Sequence, residues 1–268
     1  MITTIGILSG KGGSGKSALA FNLAHALAKR GRRVIAIDLD PQNSLSYALD
    51  IDRRGDDAGP TIADVLRDRH PARAIKLARR EIAPNLHGIA SSRALHSVGQ
   101  ALLTEPGGDA VLRQALTGIA EDYDVAILDG APGLDTFAGR AIVIASRGII
   151  APLIPDPLNF HAVGALLATI DQARERGTNP DLELIGIAVT FYDDRLTLYR
   201  EGVEQLRASG APVLRSHIGR SVKVAESMGA HRPIQDYDPS NPRSAEYDAI
   251  TGEIDDLWLK RNLRPTGR

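Results

Sequence analysis

Ser9-Gly10-Lys11-Gly12-Gly13-Ser14-Gly15-Lys16-Ser17 contains the spacing G-x-x-x-x-G-K-S, a set of residue types suited to holding phosphate. Glycines have no side chain in the way, so the backbone N–H groups can close around phosphate oxygens. Lys16 is then a point charge for the β- and γ-phosphates of a nucleotide, and the Ser17 hydroxyl a ligand for Mg²⁺. The candidate nucleotide contacts here are Gly10, Lys11, Gly12, Gly13, Ser14, Gly15, Lys16, Ser17 and Ala18. A glycine-rich turn that binds nothing is the alternative. Carboxylates follow at the ends of two later apolar runs. Val34-Ile35-Ala36-Ile37 leads to Asp38 and Asp40, and Val125-Ala126-Ile127-Leu128 leads to Asp129. A buried strand ending in Asp is suited to carry a carboxylate toward Mg²⁺, and Asp129 takes that part, through a coordinating water. Asp38 and Asp40 as caps for the helix that follows is the alternative, and two carboxylates beside such a loop make it the weaker one.

These residues need a scaffold that brings them to one edge. The loop sits between an apolar run at residues 3–8 and an amphipathic stretch at 18–28 that stops at Gly31, giving strand, loop, helix. Further strands are expected at 33–39, 85–89, 125–128, 148–154, 182–190 and near Val213. Helices are expected over 159–174, up to Ala208, and from Ala245 onward. Residues 61–81 read as two short helices around Pro71, and residues 50–60 as a polar surface loop. Alternating strands and helices predict one α/β domain over residues 1–268: a doubly wound, mainly parallel sheet with helices on both faces. In such sheets ligands bind beyond the carboxyl ends of the strands, where the loop and carboxylates would lie.

Composition narrows the chemistry. The 268 residues are 43% hydrophobic and 24% charged, ordinary for a globular protein, and the net charge is −1. Affinity for nucleic acid would therefore need a local patch. With no cysteine, disulfides, thiolate metal sites and cysteine-held iron–sulfur clusters are excluded, as suits a reducing cytoplasm. The first strand follows Met1 directly, leaving no room for a signal peptide, and residues 141–154 are too short to span a bilayer. His87 and His96 have no ligand spacing with any partner and read as structural.

Lys11 makes the loop more specific. K-G-G-x-G-K-S resembles the deviant Walker A motif of the ParA/MinD ATPases. In that family the first lysine reaches across a dimer to the partner's nucleotide. Asp38-Leu39-Asp40-Pro41-Gln42 resembles the family's D-x-D-P-Q, which implies that Asp40 orients the attacking water and that Asp38 lies near the Mg²⁺ shell. Asp129-Gly130-Ala131-Pro132 departs from the usual D-x-P-P while keeping the metal carboxylate. The run Thr190 to Arg195 resembles T-M-x-D-x-R at the edge of the adenine pocket. Ile218 to Glu226 resembles I-P-R-N-V-x-L-x-E-A, with Gly219 where proline is usual. Thr190, Ile218 and Arg220 are thereby implied as nucleotide contacts. The likeness runs from residue 3 to about 255 and is weak only between about 50 and 110.

The resemblance implies ATP and Mg²⁺ as cofactors, catalytic roles for Lys11, Lys16 and Asp40, and metal roles for Ser17, Asp38 and Asp129. It implies a partition ATPase: a homodimer formed on ATP, non-specific DNA binding, and release when a centromere-binding ParB-type protein stimulates hydrolysis. Such a protein would be cytoplasmic and nucleoid-associated. DNA contacts are expected from Arg195, Arg220 and Lys223, because residues 207–232 carry five cations against Glu226. Residues 67–80 hold six cations against Asp68, either as a solvated helix face or as phosphate contacts. A MinD-like membrane ATPase is the alternative, but Asp255 and Asp256 in the C-terminal stretch oppose anionic lipid, and Ile254, Leu257 and Trp258 are expected to pack on the domain. An amide-forming ligase would be expected to carry a further domain, for which the length leaves no room. A helix-turn-helix ahead of the loop is likewise not expected.

Overall fold

The computed structural model describes residues 2–52 and 59–263, so residues 53–58 of the expected surface loop lie outside it. In chain order the elements are β1 (Thr3–Ile7), α1 (Lys16–Lys29), β2 (Val34–Leu39), α2 (Ser44–Ala48), α3 (Ile62–Arg67), α4 (Pro71–Ala78), β3 (Arg80–Ala83), β4 (Leu86–Ile89) and α5 (Ala94–Thr104). Then come α6 (Val111–Thr117), β5 (Val125–Gly130), α7 (Phe137–Ala145), β6 (Gly148–Leu153), α8 (Pro157–Glu175), β7 (Glu183–Tyr192) and α9 (Thr197–Ala208). The last are β8 (Ile218–Gly219), α10 (Val222–Gly229), α11 (Ile234–Tyr237) and α12 (Pro242–Ile254), continued by a π turn at Asp255–Leu259.

One eight-stranded sheet has the order β3-β4-β2-β5-β1-β6-β7-β8 and is parallel except for β3 against β4. Strand periodicity divides the apolar residues between its faces. Ile35, Ile37, Ala126 and Leu128 join one buried layer with residues of α3, α5, α6, α7 and α8. Val34, Ala36, Val125 and Ile127 join the other, with α1 and α12. The central strands are buried throughout, as parallel strands covered on both faces must be. This is the doubly wound sheet expected.

Several local expectations differ. The second helix of the 61–81 stretch stops at Ala78, Arg79 turns extended, and β3 runs antiparallel to β4 through a turn at Asn85, whose φ is 64°. Val213 makes only an isolated bridge to Ile187; the added strand is Ile218–Gly219. The last helix starts at Pro242, capped by the Asn241 side chain, three residues before Ala245. Trp258 and Ile254 are buried as expected, but Leu257 is 58% exposed, because the π turn rotates it outward.

Candidate nucleotide and metal site

The loop leaves the C-terminal end of β1, in the middle of the sheet, and enters α1 at Lys16. Gly13 (φ 75°) and Gly15 (φ 82°) take left-handed conformations that a side chain would strain, and Gly15 is the residue ahead of the helix. The two lysines part company here. Lys16 is buried at 7% exposure, its Nζ 3.4 Å from the Lys11 carbonyl, whereas the Lys11 side chain is exposed. Burial lowers the Lys16 pKa, opposed by the charges of Asp129 and Asp40.

Asp38 and Asp129 are register partners on adjacent strands β2 and β5, both fully buried. Their surroundings differ. Asp38 Oδ2 accepts from the Ser46 N–H and hydroxyl, both at 2.7 Å, and Oδ1 accepts from the Asp40 N–H at 3.0 Å. Burial raises its pKa to about 6 against those bonds. Neither oxygen of Asp129 is hydrogen-bonded. Burial, then the Asp38 charge, push its pKa well up; the nearby Ser17 hydroxyl and Lys16 ammonium oppose the shift without satisfying either oxygen. An orphaned buried carboxylate facing a hydroxyl is a fitting donor set for a hard cation such as Mg²⁺, which keeps waters and takes phosphate oxygens as further ligands. Among the described residues no three His, Cys, Asp or Glu gather as a metal-binding group. Asp38 stands beside this set, with its lone pairs largely engaged in holding α2. Asp40, half-buried, accepts from the Gln42 N–H at 2.9 Å, which shapes the turn after β2.

Beside the loop is an apolar slot of about 140 Å³, lined by Gly15, Ala18, Thr190, Phe191, Ile218 and Gly219, with Val224, Met228 and Tyr247 behind. Its apolar walls suit a nucleotide base next to the phosphate loop. Thr190 Oγ1 donates to the Ser14 carbonyl at 2.9 Å, pinning β7 to the loop. Phe191 has a left-handed φ of 52° and brings its ring toward Gly15; the Arg220 guanidinium lies 5.6 Å from that ring. Sequence reading named Thr190, Ile218 and Ala18 but missed Phe191, Val224, Met228 and Tyr247. Phe191 directly follows Thr190, so strand alternation turns it away from the slot, and its left-handed φ is what brings it in; the one-face spacing of Val224 and Met228 was the available signal.

Gly219 forms the thin wall between the slot and a polar pocket of about 520 Å³ that holds Arg195, Arg220, Arg243, Asp193, Asp194 and Glu246. Its N–H donates to Glu246 Oε2 at 2.8 Å, and Glu246 Oε1 pairs with Arg243 at 2.6 Å. The candidate DNA residues lie here too. Arg195 is paired with Asp193 at 2.7 Å and Lys223 with Glu226 at 2.7 Å, while Arg220 is exposed above Phe191.

Comparison with known proteins gives a consistent neighbourhood. Residues 2–184 match the family model described as AAA domain. The chain is 32% identical to the chromosome-partitioning ATPase Soj of Thermus thermophilus, over 94% of this chain and 95% of that one. It is 30% identical to the cell division protein PomZ of Myxococcus xanthus, over 92% and 76%. It superposes with a TM-score of 0.80 and 26% identity on cobyrinic acid a,c-diamide synthase from Mycobacterium smegmatis with bound ATP analog and magnesium, covering all of both chains. That end-to-end match corrects one expectation: a chain of this extent does carry the name of an amide-forming enzyme, so length does not set such enzymes apart.

Proposed function

The chain belongs to the ParA/Soj-type ATPase family, whose cofactors are ATP and Mg²⁺, and from that premise we propose that it is a partition ATPase. On this reading two copies close on ATP, the dimer binds DNA without regard to sequence, and a centromere-binding partner of the ParB type releases it by stimulating hydrolysis. The whole chain acts as one nucleotide-binding domain, in the cytoplasm and on the nucleoid. Among the described residues no helix is long and apolar enough to cross a membrane.

ATP supplies the phosphoryl group, and Mg²⁺ neutralises charge on its phosphates. The chain's own groups divide the remaining work. Backbone N–H groups of residues 10–17 hold the phosphates, aided by the positive end of α1. Lys16 places its ammonium on them from inside the loop, and Ser17 and Asp129 hold the metal. Asp38 keeps the turn after β2 in place, so that the Asp40 carboxylate can orient the attacking water. The slot walls at Ala18, Thr190, Ile218 and Phe191 sandwich the base, with Arg220 at its rim.

The observation that carries the dimer is the contrast on one loop: Lys16 is buried beside Asp129, and Lys11, five residues earlier, is exposed. A lysine there can serve a second copy without leaving its own loop. The test is light scattering of wild type and Lys11→Ala with ATP, ADP and no nucleotide. The wild type should be a dimer only with ATP, and the variant should hold nucleotide as a monomer. An ATP-dependent dimer from Lys11→Ala would remove the lysine from the interface. ATP turnover that needs an added carboxylic acid and a nitrogen donor would place the chain with amide-forming enzymes instead.

A further inference from the structure

We propose that Ser46 is a positioning residue for ATP hydrolysis: its buried hydroxyl fixes Asp38, and through Asp38 the backbone that aims Asp40. The inference rests on the role given to Asp40 above, and adds to it a residue outside the nucleotide and metal sets.

Ser46 is fully buried in the first turn of α2. The N–H groups of that turn need acceptors, and Asn43, the residue ahead of the helix, offers no side-chain cap. Asp38 serves instead from β2. Its Oδ2 takes the Ser46 N–H at 2.7 Å and the Ser46 hydroxyl at the same distance. The direction of that hydroxyl is set. Its oxygen accepts the Ser91 N–H at 2.8 Å, just past β4, so its single proton is left for Asp38. β4, α2 and β2 thus meet in one chain of donors that ends on a carboxylate.

What the hydroxyl adds is a second donor on one oxygen. The last torsion of an aspartate is broad, so a carboxylate held there by a lone N–H can pivot about it. Two donors at 2.7 Å fix its plane. The other oxygen, Oδ1, then stays under the Asp40 N–H at 3.0 Å and holds the peptide from which the Asp40 side chain departs. Beyond it the turn closes on itself. The Asp40 carbonyl accepts the Asn43 N–H at 2.8 Å, with Asn43 at a left-handed φ of 51°. Asp40 Oδ1 is spent on the Gln42 N–H, so where Oδ2 points follows the backbone.

α2 is anchored independently of this hydroxyl. Leu45 and Ala48 are buried in the layer of α1 and α12, and the Tyr47 carbonyl accepts from His231 Nδ1 at 2.8 Å, beyond α10. Removing the hydroxyl should leave the helix in place and loosen Asp38. A misplacement of about 1 Å at a reacting group can cost about 10²-fold in rate, and a pivot of Asp38 reaches Asp40 only in part.

The test uses the full chain with Mg²⁺. Single-turnover hydrolysis at saturating ATP is compared in wild type, Ser46→Ala, Asp40→Ala and the double variant, with Mg·ADP affinity measured by calorimetry. Ser46→Ala should hydrolyse about 5- to 50-fold more slowly. Its Mg·ADP affinity, and the Mg²⁺ concentration for half-maximal rate, should stay within about twofold of wild type. In the Asp40→Ala background the same change should have no further effect, because the group it aims is gone. Where the small cavity impairs folding, Ser46→Cys fills the space with a weak donor and should show the same loss of rate. A lowered melting temperature with a rate less than about fivefold below wild type would make Ser46 purely structural and overturn the proposal. Losses that multiply in the double variant, or that come with weaker Mg·ADP binding, would assign the hydroxyl to the metal or phosphates and overturn it as well. Both outcomes leave the role of Asp40 standing. A wild-type rate in Asp40→Ala overturns that role and this proposal with it.

Discussion

A Cβ at position 219 would stand 1.6 Å from Nη1 of Arg243, so the glycine and the guanidinium occupy one another's space. Arg243 is held there by Glu246, which also accepts the Gly219 N–H. The family's usual proline would lose that N–H and drive its ring into the arginine. The Arg243–Glu246 ion pair thus lies against Gly219 at the wall of the base slot.

Gly219→Pro should therefore destabilise the protein by about 1–3 kcal/mol, from an unsatisfied Glu246 oxygen and a crowded contact. Nucleotide affinity should fall with it. Arg243→Ala in the same chain should recover part of the loss, since it clears the space but not the missing donor. Urea unfolding of the two single variants and the double gives the coupling; strictly additive effects would separate the two residues.

Lys16→Ala should lose nucleotide binding by at least about 100-fold at matched Mg²⁺, measured by calorimetry. Its melting temperature should not drop, because a desolvated ammonium without a carboxylate hydrogen bond contributes little to folding. Nucleotide affinity like that of wild type would remove Lys16 from the phosphates.

Asp40→Ala should bind ATP and dimerise, yet hydrolyse about 10²–10⁴-fold more slowly, the usual cost of losing a proton-handling or water-orienting group. Single-turnover rates at saturating ATP read this directly. An unchanged rate would leave Asp40 only its bond to Gln42.

His25 supplies a pH test away from the site. Burial lowers its pKa to about 4, and its Nε2 is buried without a partner. In the unfolded chain it titrates near 6.5, so between about 6.5 and 4 the unfolded state binds the extra proton. Stability should fall as pH drops through that window, by up to about 2–3 kcal/mol. Melting curves of wild type and His25→Gln from pH 7 to 4.5 should converge toward the acid end; parallel curves would show that His25 does not set the slope.

Much of this was legible because short-range rules place it. Glycines at left-handed positions, a helix directly after them, and apolar strands ending in Asp put Lys16, Ser17, Asp38 and Asp129 together before any coordinates. The shortfalls came from contacts between distant segments. That Asp38 is occupied by Ser46 while Asp129 is not depends on where α2 folds back, which no strand pattern encodes. The exposure of Leu257 depends on a one-residue π insertion in a helix whose apolar spacing reads as ordinary. The Pro84-Asn85 turn that launches β4 was visible as a turn signal, but the helical spacing before it masked the four-residue β3.

The borders of the sheet restrict how two copies can meet. At one border β3 is four residues long, antiparallel and bulged, with Arg80 and Glu81 upon it; at the other β8 has two residues. Among the described residues neither offers a run of free N–H and C=O groups long enough to recruit a strand from a neighbour. Growth of the sheet from molecule to molecule, the route to fibres, is therefore blocked at both ends. In the proposed dimer, association then falls to the loop edge, where a nucleotide can be made a condition of it.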